Sequence, residues 1–108
     1  MEKAKRARLE KRGWRIGDAA DFLDLNDAEA ALIELKVALG SALRQRRVAK
    51  GLTQGELAKQ LGSSQSRIAK MEASDPSVTM DLLVRAHLAL GATAKDLAKA
   101  IERSAKAA

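Results

Sequence analysis

Apolar positions in this chain recur at spacings of three and four, the period of helices that pack by one face. Nowhere do they keep the strict alternation of a half-buried strand. The longest such stretch predicts a helix over 27–49. Asn26 and Glu29 have N-cap and capping-box spacing, and Gly51 stops the helix. Two stripes run along it. Leu32, Leu35, Leu39, Ala42 and Leu43 form the expected core face. Ala30, Ile33, Val37 and Gly40 with Ser41 form a second, which must meet either the Trp14/Phe22 segment or another subunit.

Two short helices follow. Thr53, three residues before Glu56, caps the first, which sets Leu57, Ala58 and Leu61 at helical spacing. Gly62 can take the left-handed conformation that ends it. Ser63 or Ser64 caps the second, which turns Ile68 and Met71 inward. Residues 73–78 read as a loop marked by Ser74, Asp75 and Pro76. Thr79 caps a helix over 80–90 that ends at Gly91. Thr93 with Asp96 caps a last helix over about 94–104, with Leu97 and Ile101 as its seam. Upstream, residues 1–13 are a basic arm. Trp14, Ile16, Phe22, Leu23 and Leu25 cluster in a connecting segment, where Asp18 can cap a single turn. The expected fold is all-α: a five-helix domain over 26–108 with an N-terminal extension over 1–25.

Composition narrows the function. A chain of 108 residues is one domain with a modest core. Trp14 and Phe22 are its only aromatics, so the core is aliphatic. Without cysteine there is no disulfide framework and no thiolate metal site. No apolar run reaches the roughly 18–20 residues of a membrane span, and the basic start leads into no apolar signal core. The expectation is a cytoplasmic protein with no cofactor.

Net charge is +6, unevenly distributed. Residues 1–15 carry about +5, residues 16–37 about −5, and residues 38–72 about +5 again. The second basic block coincides with the two short helices, as phosphate binding requires. The acidic block does not suit DNA, and is expected to lie away from the duplex or to face a basic partner.

Two short capped helices around a glycine turn, the second with an outward face of Ser64, Gln65, Ser66, Arg67 and Lys70, have the design of a helix-turn-helix. The run LTQGELAKQLGSSQSRIAKME, residues 52–72, resembles the helix-turn-helix of the Xre/Cro-repressor (lambda-repressor-like) family. The resemblance covers roughly residues 38–91, with the motif itself at 53–72. It implies that the second helix, 64–72, enters the major groove of double-stranded DNA. The family's base-reading positions map onto Gln65, Ser66 and Lys70, with Arg67 beside them. These residue types suit base reading, since glutamine pairs bidentately with adenine, arginine and lysine with guanine, and serine with several edges.

Phosphate contacts are expected from Gln54, which matches a phosphate-binding position of the family at a helix N-terminus. Ser63 and Ser64 are near enough to add to it. Arg44, Arg46, Arg47 and Lys50 line the end of the long helix, where cations also favour the helix dipole. Arg44 and Arg46 are expected on phosphates. For Arg47 the resemblance implies an ion pair with Glu72, bracing the second helix of the motif.

Other candidates read as structural. His87 sits among apolar residues, as a packed and satisfied polar group. Asp18, Asp21, Asp24 and Asp27 are spaced by three but lack the glycine and terminal glutamate of a calcium loop. No nucleophile–base pair, metal spacing or phosphate loop points to an enzyme.

The function expected is a sequence-specific transcriptional repressor that binds a pseudo-palindrome as a homodimer on the bacterial nucleoid. The dimer would form through Leu97 and Ile101 or through the second stripe of the long helix. The alternative is an antitoxin. A short Xre-type chain with an N-terminal extension resembles HigA-like antitoxins, which neutralise a RelE-like ribonuclease toxin and repress their own operon. The acidic segment 18–34, with Trp14 and Phe22, would then meet the toxin.

Overall fold

The computed structural model describes residues 27–107. The arm, Trp14, Phe22, the upstream aspartates and the Asn26 cap lie outside the described residues, as does the boundary drawn at residue 25. Among the described residues the chain is all-α, with five helices: α1 Asp27–Ala49, α2 Gln54–Leu61, α3 Gln65–Glu72, α4 Met80–Ala89 and α5 Ala94–Ala107. The long α1 is the backbone of the assembly. It packs against α3, α4 and α5, and α2 packs against α3.

Local chemistry sets the boundaries. Thr53 and Glu56 form a reciprocal capping box on α2: the Glu56 amide donates to Thr53 Oγ1 at 3.0 Å, and the Thr53 amide donates to Glu56 Oε1 at 3.0 Å. Gly62 ends α2 at φ 64°, a left-handed turn that a β-carbon would disfavour. Ser64, not Ser63, caps α3, which therefore starts at Gln65. Thr79 caps α4 through the Leu82 amide, and Thr93 with Asp96 forms a second reciprocal box on α5. α4 closes one residue earlier than expected, with Leu90 as its cap, and α5 runs on to Ala107.

Leu39, Leu43, Leu57, Ala58, Ile68, Met71, Val78, Leu83, Ala86 and Leu90 form one core drawn from α1 to α4 and the loops that join them. Burying each large side chain contributes about 1.5–3 kcal/mol. Leu97 and Ile101 of α5 pack against this core, so the seam expected to serve a dimer is turned inward.

The expected core face of α1 holds in part, since Leu39 and Leu43 are buried, and the rest of it is corrected. Leu32 is 48% exposed, and Leu35 and Ala42 are only half-buried. The stripe that goes inside is Ala30, Ile33, Lys36, Gly40 and Leu43, with Leu39 beside it. These positions advance by three or four, and Ala38 is buried as well. Ala30, Ile33 and Gly40 come from the expected second stripe and Leu39 and Leu43 from the first; apolar spacing does not reveal Lys36 among them. Gly40 is there because α1 nearly touches the end of α3: a β-carbon at position 40 would lie 2.6 Å from the Met71 carbonyl oxygen.

Candidate nucleic-acid interface

α3 is eight residues long and divides cleanly into two faces. Ile68 and Met71 are buried, at 0% and 1% exposure. Gln65, Ser66, Arg67 and Lys70 are all exposed on the other side. The four side chains expected to read bases therefore share one solvent-facing surface, with two donor-rich cations beside one amide and one hydroxyl.

Two shallow hollows flank that surface. One joins Gln65 to Gln54, Gly55, Arg47 and Val48, bringing together the start of α3, the start of α2 and the last turn of α1. The other is lined by Ser66, Arg67 and Lys70 with Ser77 and Val78 of the following loop. Val48, 57% exposed, and Ser77 are not among the residues expected from the sequence. For Ser77 the signal available was the Asp75-Pro76-Ser77 turn immediately after the motif. Asp75 organises that turn, accepting from the Ser77 amide at 2.9 Å and the Ser77 hydroxyl at 2.7 Å. These bonds hold its carboxyl below the usual range, helped by Lys70 and Lys36.

Behind the exposed face, Arg47 fixes α3 to α1. Its Nε donates to Glu72 Oε2 at 2.6 Å and its Nη2 to Oε1 at 3.0 Å, while Nη1 donates to the Leu52 carbonyl at 2.7 Å. The hydrogen bond to Glu72 holds the guanidinium above its ordinary pKa. Gln54 joins the pair: its Nε2 donates to Glu72 Oε1 at 3.2 Å. The side chain expected on a phosphate thus has one N–H committed inside the protein. Its second N–H and the amides of Gln54 and Gly55 at the start of α2 remain for an anion.

The remaining expected phosphate residues are not all brought to this face. Ser64 Oγ accepts from the Arg67 amide at 3.2 Å as the α3 cap. Ser63 Oγ is buried and has no hydrogen-bond partner among the described residues, so its hydroxyl does not reach the surface. Arg44 is exposed. Arg46 turns instead into the groove between α1 and α5. There its Nε donates to Nδ1 of His87 at 3.3 Å. Nε2 of the same ring, fully buried, meets the Leu39 carbonyl oxygen at 2.8 Å. Nε2 therefore carries the proton and donates to Leu39, and Nδ1 is the acceptor. Burial lowers the His87 pKa, and the charge of Arg46 adds to that. Arginine and histidine at these positions tie α1 to α4.

No group of three histidine, cysteine, aspartate or glutamate side chains among the described residues could hold a metal ion. None of the described helices is long and apolar enough to cross a membrane.

A family model for the helix-turn-helix matches residues 43–97, just over half of the chain. Neither the curated proteins nor the solved structures contain a match.

Proposed function

The chain belongs to the Xre/lambda-repressor-like helix-turn-helix family, a DNA-binding regulator family, and on that premise we propose that it is a transcriptional repressor that reads a specific DNA sequence through α3. The observation that carries this reading is the undivided polar face of α3. Gln65, Ser66, Arg67 and Lys70 point outward together, on a helix whose inner face is sealed by Ile68, Met71 and the Arg47–Glu72 pair. Phosphates would be held by the start of α2 at Gln54, by the Ser64 end of α3 and by Arg44. One such helix reads only a few base pairs, so the functional unit is a homodimer on half-sites about one helical turn, roughly 34 Å, apart. It would act on the cytoplasmic nucleoid. Residues 26–108 would be the DNA-binding unit, and 1–25 a basic arm that suits phosphate followed by a short connecting segment.

The test is selection of duplexes from a randomised pool, followed by fluorescence anisotropy on the selected and on random DNA at two salt concentrations. A specific repressor prefers the selected sequence by about 10³-fold or more. Equal affinity for both, lost with salt, would leave only phosphate binding and overturn the reading.

A second reading adds a protein partner. The first turn of α1 exposes Asp27 and Glu29, and Leu32 beside them is half exposed. Exposed carboxylates and a half-exposed leucine at one end of α1 suit a basic protein, and an antitoxin that binds a RelE-like ribonuclease would present such groups. Co-purification with the small basic product of an adjacent gene would support it. A monodisperse repressor with no effect on that ribonuclease would exclude it.

A further inference from the structure

We propose that Gly40 and Ser74 are positioning residues for DNA reading, forming a second lock that sets the angle of α3 on α1; the inference rests on the proposed reading of DNA by α3.

The lock lies two residues beyond α3. Ser74 is fully buried and has φ 56°, and it is the one described non-glycine residue in the left-handed region. A serine β-carbon is disfavoured there, and the conformation persists only when its surroundings hold it. The hold is a long-range bond: Ser74 Oγ donates to the Lys36 carbonyl oxygen of α1 at 3.1 Å. One turn along α1 from Lys36, Gly40 provides the space. A β-carbon there would press on Ser74 Oγ and on the Met71 carbonyl oxygen. At the same junction the Lys36 side chain is buried, and Asp75 acts on its ammonium group.

Two anchors do what one cannot. The Arg47–Glu72 pair is a side-chain contact about which α3 could pivot. The Ser74 lock grips α1 at residues 36–40, between about 10 and 16 Å further along at 1.5 Å per residue. Joined to α1 at two points separated along that helix, the end of α3 is restrained from pivoting about either one. The contact joins one side-chain hydroxyl to backbone on both sides. An alanine at position 40 would meet Ser74 Oγ and, at 2.6 Å, α3's own Met71 carbonyl oxygen, so relief involves moving the backbone at the end of α3. Bidentate pairing with base edges tolerates little displacement, whereas phosphate contacts are far less demanding of orientation. Disturbing the lock should therefore cost specificity before it costs general DNA affinity.

The experiment compares the full-length wild type with Gly40→Ala, Ser74→Ala and Ser74→Gly. The wild type first selects a sequence from randomised duplexes. All four proteins are then titrated on selected and random DNA at a temperature where circular dichroism shows them folded. Gly40→Ala is expected to lose about tenfold or more on the selected duplex, the scale of one base mismatch, while random-sequence affinity moves by less than about threefold. The serine variants separate positioning from stability. Both lose the bond to Lys36, but glycine removes the left-handed strain, so Ser74→Gly should melt higher than Ser74→Ala and still lose as much specificity. If Gly40→Ala does not fold, this pair carries the test. Wild-type specificity ratios in variants with lowered Tm would overturn the proposal and leave a merely structural contact. If the wild type selects no sequence, the repressor reading fails and this inference with it; if the wild type selects and the variants keep its ratio, this inference alone fails.

Discussion

Arg47 and Glu72, 25 residues apart, form a two-pronged pair in which both carboxylate oxygens are bonded to one guanidinium, at 2.6 and 3.0 Å. The side chains are only 11% and 4% exposed. Removing one member strands the other charge in a site that water cannot easily reach. Glu72→Ala should therefore destabilise the fold by about 3 kcal/mol, the lower end of the range for breaking a buried pair. It also leaves Gln54 Nε2 without its acceptor. The comparison is Asp81→Ala, which breaks the Arg85–Asp81 pair, 76% and 74% exposed. That change should cost less than about 1 kcal/mol. Equal shifts in the two denaturation midpoints would show that the Arg47–Glu72 pair does not brace α3.

Gln65→Ala and Lys70→Ala should leave the melting temperature nearly unchanged, because both side chains are exposed on α3. On the selected duplex each should cost roughly 1–3 kcal/mol, and the preferred base at one position should become degenerate. A repeat selection with each variant reads that directly. An unaltered preferred sequence would remove the residue from the base-reading set.

These outcomes also mark what the sequence could and could not tell. The Thr53–Glu56 and Thr93–Asp96 boxes, the left-handed Gly62 and the two-faced α3 are set by residues within four positions of one another. Local spacing therefore reveals them. The inner face of α1 was partly legible: Ala30, Ile33 and Gly40 share one stripe in the sequence, but Lys36 lies among them, while Leu32, which looks like core, is half exposed. Three long-range side-chain contacts were hidden as well. Ser74 bonds to Lys36 across 38 residues, Arg46 to His87 across 41, and His87 to Leu39 across 48. No short-range pattern encodes such pairings. The Arg47–Glu72 contact came from a family resemblance, not from spacing.

Acid should weaken the fold through His87, the chain's one histidine. Burial, with Arg46 alongside, lowers its pKa from the ordinary 6.5, while the bond to the Leu39 carbonyl acts the other way without reversing the shift. Asp96, at the start of α5, lies near enough to Arg46 for the two charges to interact. The folded protein therefore resists the proton that the unfolded chain accepts near pH 6.5. The stability held by neutral His87 is fully present above that pH, and is lost as pH falls toward the folded-state value. Urea denaturation at pH 7.5 and pH 5.5 should show the decline, and the ring carbon signals should titrate below 6.5. His87→Gln should flatten the dependence in that window. A decline of the same size in the variant would assign it to other groups.

Arg44 and Arg46 stand two residues apart on α1, yet should respond in opposite ways. Successive residues turn about 100° on a helix, which puts Arg44 and Arg46 on opposite sides of Arg47. Arg44 is exposed, whereas Arg46 is half-buried and bonded to His87 Nδ1. Arg44→Ala should weaken selected and random DNA alike and reduce the slope of log affinity against log salt by about one. Arg46→Ala should leave that slope close to wild type. Its effects should be a lower melting temperature, from a ring nitrogen left without its donor, and a His87 pKa moved up toward 6.5 once the neighbouring positive charge is gone. A reduced salt slope in Arg46→Ala, with the His87 titration unmoved, would return Arg46 to the DNA and break the assignment of its side chain to the α1–α4 junction.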